Sequence, residues 1–220
     1  MSKLLNKVQS DYEQIAASFS VTRQGNWEES SYICDIIPEH SSVLDLGCGN
    51  GRLYQNLKDK NVQYLGLDLN QTLLGHARNQ YPDADFKLLD FSRELSKLDQ
   101  KFDFIVSVAA LHHLPGRARR LKVFREIRQL LKPNGQLFCT VWNLHQPPYH
   151  KYLYLSRLLN WGRYGWNDTF VPWRATRPTV WRYYHAFSQQ ELRQLLLQSG
   201  FKQISFPTNL QGRNWTVLAS

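Results

Sequence analysis

Short apolar runs alternate along this chain with stretches whose apolar residues recur every three or four positions, a pattern that predicts strands and helices in turn. Leu5, Val8, Tyr12, Ile15 and Phe19 predict a helix over Lys3 to Phe19, and a second helix is expected over Glu28 to Ile37, ending before Pro38. Val43 to Leu46 reads as a buried parallel strand cut off by Gly47. Helices are then expected over Arg52 to Lys60, Thr72 to Asn79 and Arg119 to Leu131. Strands are expected over Val62 to Leu67, Asp85 to Leu89, Phe102 to Ala110 and Gln136 to Trp142. Lys132-Pro-Asn-Gly135 reads as the turn closing the last of these helices. Residues 143–181 break the rhythm: they are rich in Trp, Tyr, Arg and Pro, and only Tyr152 to Leu159 looks helical. Ser188 with Glu191 three residues later marks a capped helix start, and closing strands are expected near Gln203 to Phe206 and Trp215 to Ala219.

Strict alternation of strand and helix argues for an α/β fold with a mostly parallel sheet covered on both faces. The 220 residues suit one domain, with a helical cap over 1–40 and an insertion over about 143–181 after the fifth strand.

Composition narrows the function classes. Cys34, Cys48 and Cys139 are far apart and form no CxxC pair, so neither a zinc site nor a disulfide framework is indicated. The opening MSKLLNKVQSDYEQ turns polar too soon for a secretory signal, and no apolar run reaches membrane-spanning length, so a cytoplasmic protein is expected. Net charge is +9, concentrated late: between Phe104 and Gln190 the only acids are Glu126 and Asp168, against a long series of Arg and Lys. That asymmetry favours a polyanionic partner.

The sharpest motif is Asp45-Leu-Gly47-Cys48-Gly49-Asn50-Gly51, set between a strand and a helix. Glycines there permit a tight turn and close approach of the backbone to a ligand. Cys48 reads as the small residue behind the loop. Asp45 can hold the amino group of an amino-acid ligand. Asp68, ending the second strand, can accept ribose hydroxyls, and Asp90 closes the third strand within reach of an adenine edge. A dinucleotide fold would instead favour GxGxxG with no acid ahead of it. This series resembles the class I S-adenosylmethionine-dependent methyltransferases, which have a Rossmann-like seven-stranded sheet. The resemblance implies S-adenosylmethionine as cofactor, S-adenosylhomocysteine as product, and Leu69, Phe91 and Val108 as further cofactor neighbours.

Thr22-Arg23-x-x-x-Trp27, Ser107-Val-Ala-Ala-Leu-His112-His113-Leu114, Arg119-Arg120, Val141-Trp142, Val171-Pro-Trp173, Arg182-Tyr-Tyr184-His185-x-Phe187 and Asn214-Trp-Thr-Val217 occur in order. Together they resemble the tRNA wobble-uridine methyltransferases that esterify 5-carboxymethyluridine, including the methyltransferase domain of the AlkB-type bifunctional enzyme. The resemblance implies Arg23, Trp27, His112, His113, Tyr184 and His185 on the acceptor side. It also implies Arg119, Arg120, Arg174 and Arg182 as contacts to a tRNA anticodon loop, whose bases can be splayed out and stacked on aromatics. Eukaryotic members work with a small zinc-binding adaptor that adds a strand to the sheet, and Phe86 to Leu89 is a candidate edge for it. The chain departs from the family in its short insertion and its Lys-Pro-Asn-Gly turn. A small-molecule methyltransferase remains the enzymatic alternative, because a His-His pair after the fourth strand is common there. A non-catalytic RNA-binding module is the other, although an intact cofactor motif argues against it. No metal role is expected for the histidine pair, which lacks a third ligand.

Overall fold

The computed structural model describes residues 2–22, 27, 29–159, 164–210 and 212–220. One sheet has seven strands: β1 (Ser42–Leu46), β2 (Gln63–Asp68), β3 (Asp85–Leu88), β4 (Phe102–Val108), β5 (Leu131–Trp142), β8 (Ile204–Ser205) and β9 (Asn214–Ala219). Their order is β3-β2-β1-β4-β5-β9-β8, with β1 to β5 parallel and β9 antiparallel to both its neighbours. The helices are α1 (Ser2–Thr22), α2 (Ser30–Ile36), α3 (Arg52–Leu57), α4 (Gln71–Gln80), α5 (Phe91–Glu94), α6 (Arg117–Leu130), α7 (His150–Leu159) and α8 (Gln189–Gln198). The expected fold class is the one observed.

All five residues of β1 are buried, as a central parallel strand requires. Its side chains feed cores on opposite faces of the sheet. Leu44 and Leu46 pack with Ile105, Phe124, Ile127 and Leu195 beneath α6 and α8. Val43 packs with Ile33, Leu57, Leu74 and Phe138 beneath α2, α3 and α4. Side-chain caps set three helix starts: Asn70 accepts from Leu73 N, Asp90 from Ser92 N, and Ser188 from Glu191 N as the capping pattern predicted.

Two expectations are corrected. The Lys132–Gly135 turn is absorbed into β5 as an irregularity, where the register against β4 jumps from Phe102↔Leu131 to Phe104↔Gln136. A Cβ on Gly135 would meet the Phe102 carbonyl oxygen at 2.9 Å, so the two strands close there over a bare glycine. The insertion holds more than one helix: β6 (Asp168–Trp173) and β7 (Val180–His185) form an antiparallel hairpin. The hairpin carries the insertion four residues past its expected end at 181, and it packs through Val171 and Tyr184 against Leu153 of α7. Among the described residues, no helix is long and apolar enough to cross a membrane.

Candidate active site

The parallel strands all deliver their C-terminal ends to one edge of the sheet, and a cavity of about 650 Å³ opens there, bounded also by α1 and β7. After β1, Gly47, Gly49 and Gly51 take φ of +80°, +55° and +79°, conformations that side chains resist. A Cβ on Gly47 would lie 2.5 Å from Ala110 Cβ, whereas one on Gly49 would enter open space. The loop is tied back to β2: the Gly47 and Cys48 amides donate to the Leu67 carbonyl at 2.8 and 3.0 Å.

Three carboxylates line this wall. Asp68 accepts from the Gly49 amide at 2.8 Å on one oxygen and from the Asn70 amide at 2.8 Å on the other. Enclosure raises its pKa, and the amides of Asn70, Gly49 and Leu69 counter the rise. Asp45, 3% exposed, accepts from the Tyr64 hydroxyl at 2.7 Å. Burial pushes its pKa up to about 7, against the Tyr64 hydrogen bond and with help from the neighbouring Asp68 charge. Asp90 caps α5 through the Ser92 amide at 2.9 Å. Two buried polar atoms on this wall, Asn70 Nδ2 and Ser92 Oγ, have no hydrogen-bond partner.

The opposite wall comes from α1, the turn after β4, the end of β5, and β7. Alternation along β7 settles which side chains reach the cavity: Arg182 and Tyr184 line it, while Tyr183 and His185 point the other way. Tyr184 stacks on Trp142 with centroids 5.0 Å apart and planes at 22°. His112 sits 4.8 Å from the same tyrosine.

Hydrogen bonds fix both histidine tautomers. His113 is enclosed by Tyr12, Tyr184 and His112, and burial pushes its pKa down to about 3, so the ring is neutral. Its Nδ1 is 2.7 Å from the Tyr183 carbonyl oxygen, which can only accept, so Nδ1 carries the proton. Nε2 must then accept from the Tyr12 hydroxyl at 2.7 Å. Burial likewise holds His112 well below the usual histidine range. Its Nδ1 accepts from the Trp142 amide at 3.1 Å, leaving the proton on Nε2. The acceptor wall therefore presents one histidine donor, the His112 Nε2–H, with a guanidinium and aromatic faces.

The structure brings most of the predicted residues together. Asp45, Gly47, Cys48, Gly49, Asn50, Asp68, Leu69, Asp90, Phe91 and Val108 line the cavity, as do Trp27, His112, His113, Tyr184 and Arg182. Arg23 lies outside the described residues. Gly51 does not line the cavity: a Cβ there would meet the Tyr81 and Phe86 rings at 3.0 Å, so it serves close packing at the start of α3. His185 is buried away from the cavity, 2.7 Å from Asp168 and 2.9 Å from Glu191. Arg120 joins that network through Glu191 at 3.5 Å and donates to the Leu114 carbonyl at 3.1 Å. Neither His185 nor Arg120 is placed to touch a substrate. Arg119 is half-buried against the Pro115 carbonyl and Arg174 is exposed, both outside the cavity. Sequence reasoning missed Tyr12, Asn70, Ser92 and Trp142 as lining residues. Tyr12 had a signal as a member of the α1 apolar stripe, and Trp142 as part of the Val141-Trp142 segment of the resemblance. Among the described residues no cluster of His, Cys, Asp and Glu is arranged to hold a metal ion.

A glycine turn closing β1, carboxylates ending β1 and β2, and this strand order define an S-adenosylmethionine-dependent methyltransferase, an enzyme. Residues 25–205 match the methyltransferase domain family, and the chain belongs to it. It is 27% identical over 228 residues to a Schizosaccharomyces pombe protein named tRNA (carboxymethyluridine(34)-5-O)-methyltransferase, covering 94% of this chain and 93% of that one. The fold is similar to that in a DhpI–SAM–HEP complex, with TM-score 0.71 and 16% identity over 99% of this chain and 97% of that one. It is also similar to a methyltransferase solved with the Haloferax volcanii Trm112 methyltransferase activator, with TM-score 0.67 and 17% identity over 96% of each chain.

Proposed function

We propose that this enzyme methylates the carboxylate of 5-carboxymethyluridine, or of a closely related modified uridine, at the wobble position of tRNA. The observation that carries this reading is the acceptor wall, where, among the described residues, a guanidinium and stacked aromatics stand with two histidines whose accepting nitrogens are already taken by the Tyr12 hydroxyl and the Trp142 amide. An acceptor already ionised at neutral pH, such as a carboxylate, needs no base. The fission-yeast relative, matched over nearly the full length of both chains, is named for this acceptor.

The glycine-loop wall suits S-adenosylmethionine. Asp45 would take its ammonium group, Asp68 its ribose hydroxyls and Asp90 with Ser92 an adenine edge. The unpartnered Asn70 Nδ2 and Ser92 Oγ, and the open space beside Gly49, are what a polar ligand would fill. Bound there, S-adenosylmethionine supplies a methyl group on a sulfonium. The chain's own residues bind, orient and exclude water: Tyr184 and Trp142 offer a stacking face for a splayed base, and α1 closes the cavity over it. Exposed Arg117, Arg174, Arg177 and Arg213 would carry the RNA backbone.

The test is incubation with labelled S-adenosylmethionine and anticodon stem-loops carrying uridine or 5-carboxymethyluridine, followed by digestion to nucleosides. Label is expected in a methyl ester from the carboxymethyl RNA alone. Cofactor binding with transfer instead to a small acidic metabolite, and none to RNA, would replace this reading with the small-molecule alternative.

A zinc-binding adaptor is a second reading, favoured by β3, which is an edge strand with Leu88 53% exposed. Phe86, on the same face two residues earlier, is buried, so Leu88 is the exposed apolar side chain of the strand. An adaptor requirement predicts that transfer by the isolated chain rises when a Trm112-type protein is added, and Leu88→Glu is expected to abolish the rise.

A further inference from the structure

Among the described residues two arginines are buried, and they are treated in opposite ways. Arg120, 5% exposed, lies outside the cavity with Glu191 beside it and the Leu114 carbonyl as acceptor. Arg182, 3% exposed, forms part of the cavity wall, and among the described residues no carboxylate makes an ion pair with it. Its guanidinium carbon lies 4.7 Å from the Trp173 ring centroid, 5.2 Å from Tyr184 and 5.7 Å from Trp142. One terminal nitrogen donates to the Tyr12 hydroxyl at 3.4 Å, and Nε is buried with no partner. The nearby Asp11 carboxylate is held by Lys7 at 2.7 Å.

Aromatic faces stabilise such a cation, yet they do not use its N–H fork. A buried guanidinium with an unused donor at the wall of a cavity lacks the anion that its geometry fits best, a carboxylate taken by two charge-assisted hydrogen bonds. Tyr12 adds orientation. Its hydroxyl proton is committed to His113 Nε2, so its oxygen faces Arg182 as an acceptor only. The Tyr183 carbonyl fixes His113 in turn, which ties the whole chain of contacts to the β7 backbone.

We propose that Arg182 receives the carboxylate of the acceptor and so determines specificity for an acidic acceptor, with Tyr12 and His113 as the pair that positions it. The inference rests on the wobble-carboxylate reading and names the residue that would enforce it. In the reaction, a carboxylate oxygen lone pair forms the O–CH3 bond while the methyl–sulfur bond breaks and its electron pair stays on sulfur. No proton moves. The product ester is neutral, so it no longer pairs with Arg182, and the site that selects the acid also favours release of the ester.

The test compares anticodon stem-loops that differ at one nucleotide: 5-carboxymethyluridine, its methyl ester and its isosteric carboxamide. Binding is read by fluorescence anisotropy, methyl transfer by label, and cofactor affinity by calorimetry. Wild type is expected to bind the carboxylate RNA about tenfold or more tightly than the ester or amide, the scale of one lost charge-assisted hydrogen bond. Arg182→Gln is expected to bind all three with the amide's affinity and to lose transfer, with cofactor affinity unchanged. Tyr12→Phe, which keeps the ring, is expected to narrow the preference a few-fold and decides the matter should Arg182→Gln unfold. A variant that keeps the full carboxylate preference overturns the Arg182 assignment while leaving the wobble reading intact. Wild type that transfers no methyl to carboxymethyl RNA overturns both.

Discussion

The glycine-loop wall of the cavity is largely backbone and carboxylate, drawn from a few dozen consecutive residues, whereas the hairpin wall is side chain, assembled from α1, the turn after β4, the end of β5, and β7. Their electrostatics are opposed as well. Asp45, Asp68 and Asp90 give one wall carboxylates; Arg182 and the His112 Nε2–H give the other a cation and a donor. A cation and an anion brought together in one low-dielectric cavity attract strongly, and that attraction is relieved as transfer neutralises both. The difference teaches where each kind of evidence resides: one wall can be read locally, the other only once the chain is folded.

The sharpest way to break the comparison is at β7, where neighbouring residues are assigned different duties. His185 sits between two carboxylates, Asp168 and Glu191, with Arg120 adjoining. Removing one member of such a buried set leaves charge uncompensated, so His185→Ala is expected to cost about 3–5 kcal/mol of stability. Chemical denaturation measures it. A His185→Ala protein that melts like wild type but fails in transfer would put His185 back in the site and undo the division of the strand by alternation.

Next in size is Asp68→Ala on the opposite wall. The carboxylate organises the Gly49 and Asn70 amides and faces the cavity. Losing a buried charged acceptor of this kind is expected to weaken cofactor binding about 100-fold, since each charge-assisted bond contributes roughly 1.5–3 kcal/mol. Calorimetric titration reads this directly. Unchanged affinity would mean that Asp68 only shapes the loop.

A smaller effect, about tenfold per pH unit, is expected from Asp45. Its pKa of about 7 belongs to the protein without a cationic partner, because burial is the leading cause. An ammonium group held beside it lowers that value, so binding below pH 7 must release a proton. Apparent cofactor affinity should be flat above pH 7 and fall as pH drops below it. The same shift makes the empty protein less stable as pH rises from the ordinary carboxylate value toward 7, because the folded state there holds the extra proton. Titrations at pH 6 in two buffers of different ionisation enthalpy count the proton. A count of zero would show that Asp45 does not face the ligand's charge.

How much of this was legible in the sequence follows the same division. The parallel strands announced themselves as apolar runs because both sheet faces are covered, and the glycine loop because only glycine tolerates its φ values. Ser188 and Glu191 marked the start of α8 through a local bond. The β6–β7 hairpin gave no such sign. Pro172 falls within β6, and β7 carries Arg182 and His185, so the usual strand pattern is masked by residues whose burial depends on partners far away in sequence. With β7 recognised as a strand, period two separates Arg182 and Tyr184 from Tyr183 and His185; without it, Tyr184 and His185 read as sharing the acceptor side. Arg120 was misassigned for the same reason, since its partner Glu191 is 71 residues away.

The smallest expected effect tests whether the glycine-loop wall is preorganised for a ligand or merely polar. Ser92 Oγ is buried at the cavity with no hydrogen-bond partner, although the Ser92 amide is used by Asp90. A hydroxyl left unpaired in the empty protein carries a desolvation cost of about 1–3 kcal/mol and returns nothing to stability. Ser92→Ala should therefore leave the melting temperature of the empty protein unchanged or slightly raised. A ligand that supplies the missing partner should at the same time bind about five- to tenfold more weakly to the variant, the scale of one net hydrogen bond. The opposite signs separate the two roles. A fall in melting temperature with unchanged cofactor affinity would make Ser92 a structural residue, and the wall would then owe its specificity to the three carboxylates alone.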